Sequence, residues 1–285
     1  MASARAGSTV TRRRTTANTI AIILIAGAVP AAAQQTGTAS ATAADSAKDP
    51  HTAQPERPTV ATHAGTVAPG WLEIETGVER DRVDAGASVL STPTVAKIGL
   101  ARRVQLGLIG TVVRPPHAPA AFGDMAVGVK WRIAEDAPLL GDVAVLPAVK
   151  FPTGSAETGT RTTDESVLLI SSHDLGGVAM DLNAGYTRRG GNGQNVPKNA
   201  TLWTASFGGP LAGRVGWVAE CYGLPGTGGP SGAPPLVGFL AGPTLGVEKW
   251  LVFDAGAIVP VAGPLSRALY AGAVYNVGRM WGSRH

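Results

Sequence analysis

From Trp71 onward, apolar and polar residues alternate in short runs separated by Gly, Pro, Asn and Asp. In an extended strand successive side chains point to opposite faces. Leu72, Ile74, Thr76 and Val78 therefore share one face, while Glu73, Glu75, Gly77, Glu79 and Asp81 share the other. The split recurs where Met125, Val127, Val129, Trp131 and Ile133 alternate with Asp124, Ala126, Gly128, Lys130 and Arg132. Val143, Val145, Val149 and Phe151 likewise alternate with Asp142, Ala144, Ala148 and Lys150, and Val178, Met180, Leu182 and Tyr186 with Asp181, Asn183 and Thr187. Alternation of this kind fits a soluble sandwich as well as a membrane barrel.

Segment and loop lengths separate the two. The pattern predicts about twelve strands, over residues 71–82, 92–100, 104–113, 122–133, 141–151, 165–173, 178–188, 199–207, 214–222, 236–247, 251–260 and 268–279. Tilted strands of roughly 9–11 residues cross a bilayer, whereas globular strands peak near 5–6. Connections such as Ala101-Arg102-Arg103 and Glu248-Lys249-Trp250 are short, and they alternate with long Pro/Gly-rich ones over residues 114–121, 152–164, 189–198 and 223–235. An even strand number with alternating short and long connections predicts a closed antiparallel transmembrane β-barrel with both termini in the periplasm. Three features fit this poorly: aromatic residues make up only 5%, Pro147 and Pro243 fall inside predicted strands, and four residues follow Trp281.

Ahead of the strands, the chain has Arg5 and Arg12 to Arg14, an apolar run from Ile20 to Val29, and Ala31-Ala32-Ala33 before Gln34. That order predicts a cleavable signal peptide over residues 1–33. Residues 34–66 are rich in Ala, Thr, Ser, Gln and Asp and lack aromatic groups, which predicts a disordered periplasmic linker before a barrel over residues 67–285. The apolar run is too short for a membrane helix, and none of the required length follows it. Loss of the leader's four arginines takes the net charge from +4 to about zero, and no basic patch is interleaved with aromatics, so nucleic acid is not an expected partner. The single cysteine, Cys221, excludes an internal disulfide and reads as a small strand residue.

Polar groups in a membrane segment are costly unless they face a hydrated or internally paired lumen. Glu73, Glu75, Glu79, Lys97, Asp124, Lys130, Arg132, Asp142, Lys150, Asp181, Asn183, Glu220 and Asp254 are therefore the expected lumen-lining residues. They either form cross-strand pairs that fill the lumen or select a permeant. Catalytic chemistry is not expected. His51, His63, His117, His173 and His285 lie in the linker, in loops or turns, or at the terminus, and no two have metal spacing. Ser171-Ser172-His173-Asp174 is consecutive, so neighbouring groups point to opposite faces rather than converging. Gly190-Gly191-Asn192-Gly193 lacks the Lys and helix of a phosphate cradle. Neither a metal nor a cofactor is predicted.

Pro69-Gly70-Trp71-Leu72-Glu73-Ile74-Glu75-Thr76-Gly77, Thr92-Pro93-Thr94, Phe122-Gly123-Asp124-Met125-Ala126-Val127-Gly128-Val129-Lys130, Phe151-Pro152-Thr153-Gly154 and Asp181-Leu182-Asn183-Ala184-Gly185-Tyr186 occur in that order. This succession resembles the outer-membrane family named for the meta-pathway of phenol degradation. The resemblance implies a barrel in outer-membrane lipid that moves small molecules, with aromatic compounds as candidates. Two other readings stand beside the channel: a structural or interaction barrel whose lumen is plugged by side chains, and a secreted soluble β-sandwich.

Overall fold

The computed structural model describes residues 49–84 and 86–282. Strands β1 (Trp71–Asp84), β2 (Ala87–Ala101), β3 (Val104–Arg114), β4 (Ala121–Phe122), β5 (Met125–Ala137), β6 (Gly141–Phe151) and β7 (Asp164–Asp174) come first. They are followed by β8 (Ala179–Arg189), β9 (Asn199–Ala212), β10 (Val215–Leu224), β11 (Leu236–Glu248), β12 (Leu251–Ala262) and β13 (Arg267–Arg279). All pair antiparallel in one sheet, and β13 returns to β1 from Trp71↔Arg279 through Arg82↔Arg267. The two-residue β4 pairs with the far end of β3 and continues the line of β5 there, while β2 pairs the other side of β3. The result is a closed barrel of twelve long strands, not the two packed sheets of a sandwich.

Strand β5 shows why this sequence closes around a polar interior. Met125, Val127, Val129, Trp131 and Ile133 are exposed, whereas Ala126, Gly128, Lys130 and Arg132 between them are buried. An outward apolar face and an inward charged one reverse the arrangement expected in water, and match a wall surrounded by hydrocarbon. The prolines are accommodated by interruptions of the ladder. Between β5 and β6 the pairing skips from Gly128↔Ala148 to Trp131↔Val145, leaving Pro147 unpaired on that side. Between β11 and β12 they skip from Ala241↔Ala257 to Thr244↔Asp254, doing the same for Pro243. A residue that cannot donate is tolerated where no partner is lost.

Three expectations need correction. The first connection was expected to be long, but β1 and β2 extend past the neighbouring rim and join tightly around Gly86, whose φ of 99° suits glycine. The fourth expected strand, 122–133, is broken at Gly123-Asp124, where Asp124 turns to bind a loop. The largest change concerns the linker. Residues 49–69 form no strand, yet Gln54, Glu56, Arg57, Thr59, Ala61, Thr62, Ala64, Thr66 and Val67 are all buried. They lie inside the barrel, because inward wall side chains replace the apolar packing that this segment's composition cannot supply. Residues 1–33, the expected signal peptide, and 34–48 of the expected linker fall outside the described residues.

Candidate functional site in the barrel interior

The internal segment enters and leaves by the end of the barrel where β1 starts and β13 finishes. Its first contacts are with the β11–β12 turn and β13: the Ala53 N–H donates to the Lys249 carbonyl, and Asn276 donates to the carbonyls of Pro50 and Thr52. The His51 ring stands 5.1 Å from Trp71 and is stacked 6.0 Å from Trp250. The chain then passes around the inner wall and returns to β1 through a bridge between Pro69 and Gly99. Glycines make room for it. A Cβ on Gly99 would stand 2.1 Å from the Ala68 carbonyl, and one on Gly77 or Gly272 would strike the Arg57 guanidinium.

Seven backbone N–H groups of the segment donate to wall side chains rather than to other backbone. Gln54 donates to Glu73 at 2.7 Å and residue Glu56 to Glu75 at 2.8 Å. Val60 and Ala61 both donate to the Glu220 carboxylate, at 2.6 and 2.7 Å. Thr62 donates to Asn183 at 2.7 Å, and the Asn183 amide returns a bond to the Thr62 carbonyl at 2.9 Å. Ala64 donates to Ser172 and Val67 to Gln105. Acidic side chains on the inner face thus supply the acceptors that a strand's own carbonyls, engaged in the sheet, cannot. Bonds to a charged acceptor are worth roughly 1.5–3 kcal/mol each, about twice a neutral pair.

The remaining inward charges complete this arrangement. Lys97 lies 2.7 Å from Glu73 and 2.5 Å from Glu75, and donates to the Gln54 carbonyl. Lys130 pairs with Glu56 and donates to the His63 carbonyl at 2.9 Å. Asp254 is 3.4 Å from Arg57. Asp181 accepts from Ser172 at 2.6 Å, fixing the hydroxyl that receives Ala64. Arg132 lies 2.8 Å from Glu135 and 3.7 Å from Asp142, near the end where the segment enters. At the opposite end, Lys150 is 3.0 Å from Asp124 and 2.9 Å from Asp164. Glu79 stands higher on β1, opposite Tyr270 and Ser91, with no ion pair among the described residues.

Burial alone would raise the Glu56 carboxyl, but Lys130 and Lys97 outweigh it and hold the group below the usual carboxylate range, at about 2. His63 is lowered to about 3, first by burial and then by the Lys130 charge, so it is neutral in place. The segment's two titratable side chains at this point both favour the low-proton state.

The interior is not uniformly polar. Tyr222, Leu236, Leu240, Ile258 and Tyr270 form an apolar wall on β10–β13, and Leu146, Leu168, Ile170 and Leu202 form another on β6–β9. Val60 packs against both. The phenol ends of Tyr222 and Tyr270 fit against the wall because a Cβ on Gly238 would strike the first and one on Gly242 or Gly256 the second. Sequence reasoning missed Gln105, Ser172 and the segment's own Glu56 and Arg57. The available signal was an excess of inward acceptors on β1, β8 and β10 with no donor assigned to them.

The serines and histidine near the β7–β8 turn do not share one set of contacts. Ser171 Oγ contacts His173 Nε2 at 2.9 Å but donates to the Leu140 carbonyl at 2.7 Å, while Ser172 faces inward. Cys221 is a free, half-buried thiol.

The sequence profile of the family described as "Putative MetA-pathway of phenol degradation" matches residues 56–255. The chain belongs to that family. The match begins inside the lumenal segment, so part of that segment is within the family profile. Among solved structures, the fold is similar to an outer membrane channel from Pseudomonas putida F1, with a TM-score of 0.58 and 11% identity over 74% of this chain and 96% of that one. A KdgM porin aligns at 0.48 with 8% identity over 72% and 98%, and Omp33 of Acinetobacter baumannii at 0.36 with 10% identity over 72% and 97%. The first likeness carries the barrel fold, and the weaker two carry no argument. No curated protein sequence matches the chain.

Proposed function

We propose that this family member is an outer-membrane channel for small solutes, without a cofactor, whose lumen is held closed by its own residues 49–69. One observation carries this reading: the segment is bound to the wall by side-chain acceptors rather than woven into the sheet. A segment held in that way leaves the lumen without breaking any ladder of the barrel. The family's description directs attention to aromatic compounds as permeants, and the apolar walls carrying Tyr222 and Tyr270 suit flat rings. Export by a leader over residues 1–33, with the segment's entrance facing the periplasm, completes the proposal.

Single-channel recording in planar bilayers tests it. The full chain is expected to show rare, small openings, and Glu220→Ala is expected to show them far more often. Silence of both proteins across the voltage range would favour the second reading, a structural barrel whose filled interior is permanent.

A further inference from the structure

Four arginines stand on the outer face of β13, β1 and β3 at the rim remote from Trp71. Arg82 is directly opposite Arg267 in the sheet, Arg80 is opposite Leu269 and Leu90, and Leu90 is opposite Arg114. All four arginines are exposed. Like charges directly opposed across a ladder are destabilising, with Cβ atoms about 5 Å apart. Among the described residues none of the four joins an ion pair; Arg80 only donates to the Ser88 hydroxyl, at 3.2 Å.

Their height on the wall is informative. Arg80 is nine positions along β1 from Trp71. At about 3.3 Å per residue and a tilt of about 40°, that is roughly 23 Å, close to the ~25 Å apolar band of an outer-membrane barrel. Immediately below and beside the arginines the outer face is apolar, with Val78, Leu90, Leu269 and Val261 exposed. A cationic cluster therefore sits where hydrocarbon gives way to headgroups.

We propose that Arg80, Arg82, Arg267 and Arg114 bind the phosphate groups of a phosphorylated lipid in the outer leaflet. Guanidinium forks bind phosphate oxygens bidentately, and an anion between Arg82 and Arg267 turns their repulsion into a shared clamp. Exposed Val78, Leu90 and Leu269 take the acyl chains of the same molecule, which is why the ligand is a lipid rather than a free anion. The proposal rests on the reading of the chain as an outer-membrane barrel.

The test uses the full chain in neutral detergent, titrated with a bis-phosphorylated acyl-glucosamine disaccharide (lipid A) and with the same lipid stripped of phosphate. Bound lipid is counted by native mass spectrometry. The wild type is expected to prefer the phosphorylated form at least tenfold, and Arg82→Gln with Arg267→Gln to reduce that preference to about twofold. Without lipid, the double variant is expected to unfold at a higher temperature than the wild type, and with phosphorylated lipid at a lower one. Arg82→Lys keeps the charge and the fold and is expected to lose several-fold in affinity. Equal binding of the two lipids, unchanged preference in the double variant, or full displacement by millimolar pyrophosphate would each overturn the lipid site. Failure of the membrane reading shows separately, as wild-type protein whose gel migration is not shifted by heating.

Discussion

Lys150 lies 3.0 Å from Asp124, although in the sheet it stands opposite Ala126. The contact is diagonal because Asp124 occupies the break between β4 and β5. From there its carboxylate also accepts from the Gly154 N–H at 2.9 Å and from the N–H and hydroxyl of Thr160 at 2.8 and 2.6 Å. Asp124 thus ties the loop over residues 152–163 to the barrel rim. Asp124→Asn is expected to leave the barrel folded while costing roughly 1.5–3 kcal/mol locally. Faster hydrogen exchange at Gly154 and Thr160 would register it. The charge swap Asp124→Lys with Lys150→Asp is expected to restore little, since lysine cannot accept the two amide bonds. Full recovery would show that the ion pair alone holds the loop.

The same pair marks how far the sequence is legible. A turn centred on Ala137 predicts partners summing to 274, which would set Asp124 opposite Lys150; the observed central register is Gly128↔Ala148 and Ala126↔Lys150. The turn instead uses Asp136 and Leu139 at positive φ, and irregularities between Arg132 and Ala137 absorb the difference. A shift of two preserves the face of every residue, so Arg132 and Asp142 still pair, diagonally. Strand periodicity is local and readable. What fills a barrel is not, because it depends on backbone donors meeting side chains that are distant in sequence, as with Val60 and Glu220. Gly128 illustrates this limit: it reads as open lumen, yet a Cβ there would stand 3.1 Å from Leu146.

The outward face gives a depth-dependent prediction. Val127 is exposed within β5, whereas Leu140 is exposed in the turn beyond it. Val127→Arg is expected to cost about 2–4 kcal/mol in refolding into lipid vesicles, and Leu140→Arg about 0–1. Equal costs at the two sites would argue against a bilayer around this wall.

Glu220 gives a test of segment retention. Glu220→Ala removes the acceptor of two buried N–H groups, Val60 and Ala61. Leaving such groups unpaired costs roughly 1–3 kcal/mol each. The segment is expected to spend tenfold or more additional time outside the lumen, read as labelling of a cysteine placed at Thr59. Glu220→Gln keeps one acceptor oxygen and is expected to fall between the two. Labelling that is unchanged in Glu220→Ala would show that other wall contacts suffice.

Acid is expected to loosen the segment, and His63 sets the window. Its half-buried ring stands near Lys130, Lys97 and Glu56, and its pKa is about 3 in place against 6.5 for the free group. Between these values the withdrawn state binds more protons than the seated one, so falling pH favours withdrawal; above 6.5 His63 has no effect. Each pH unit below 6.5 multiplies the withdrawn population by up to about ten, which at pH 5 amounts to roughly thirtyfold or about 2 kcal/mol. Glu56, held at about 2 against 4.5, acts in the same direction but only below 4.5. Open probability measured from pH 7.5 to 5 is therefore expected to become progressively higher in the wild type than in His63→Gln, which cannot charge. If both proteins respond alike over this range, the titrating group is another one and His63 is a passive part of the seated segment.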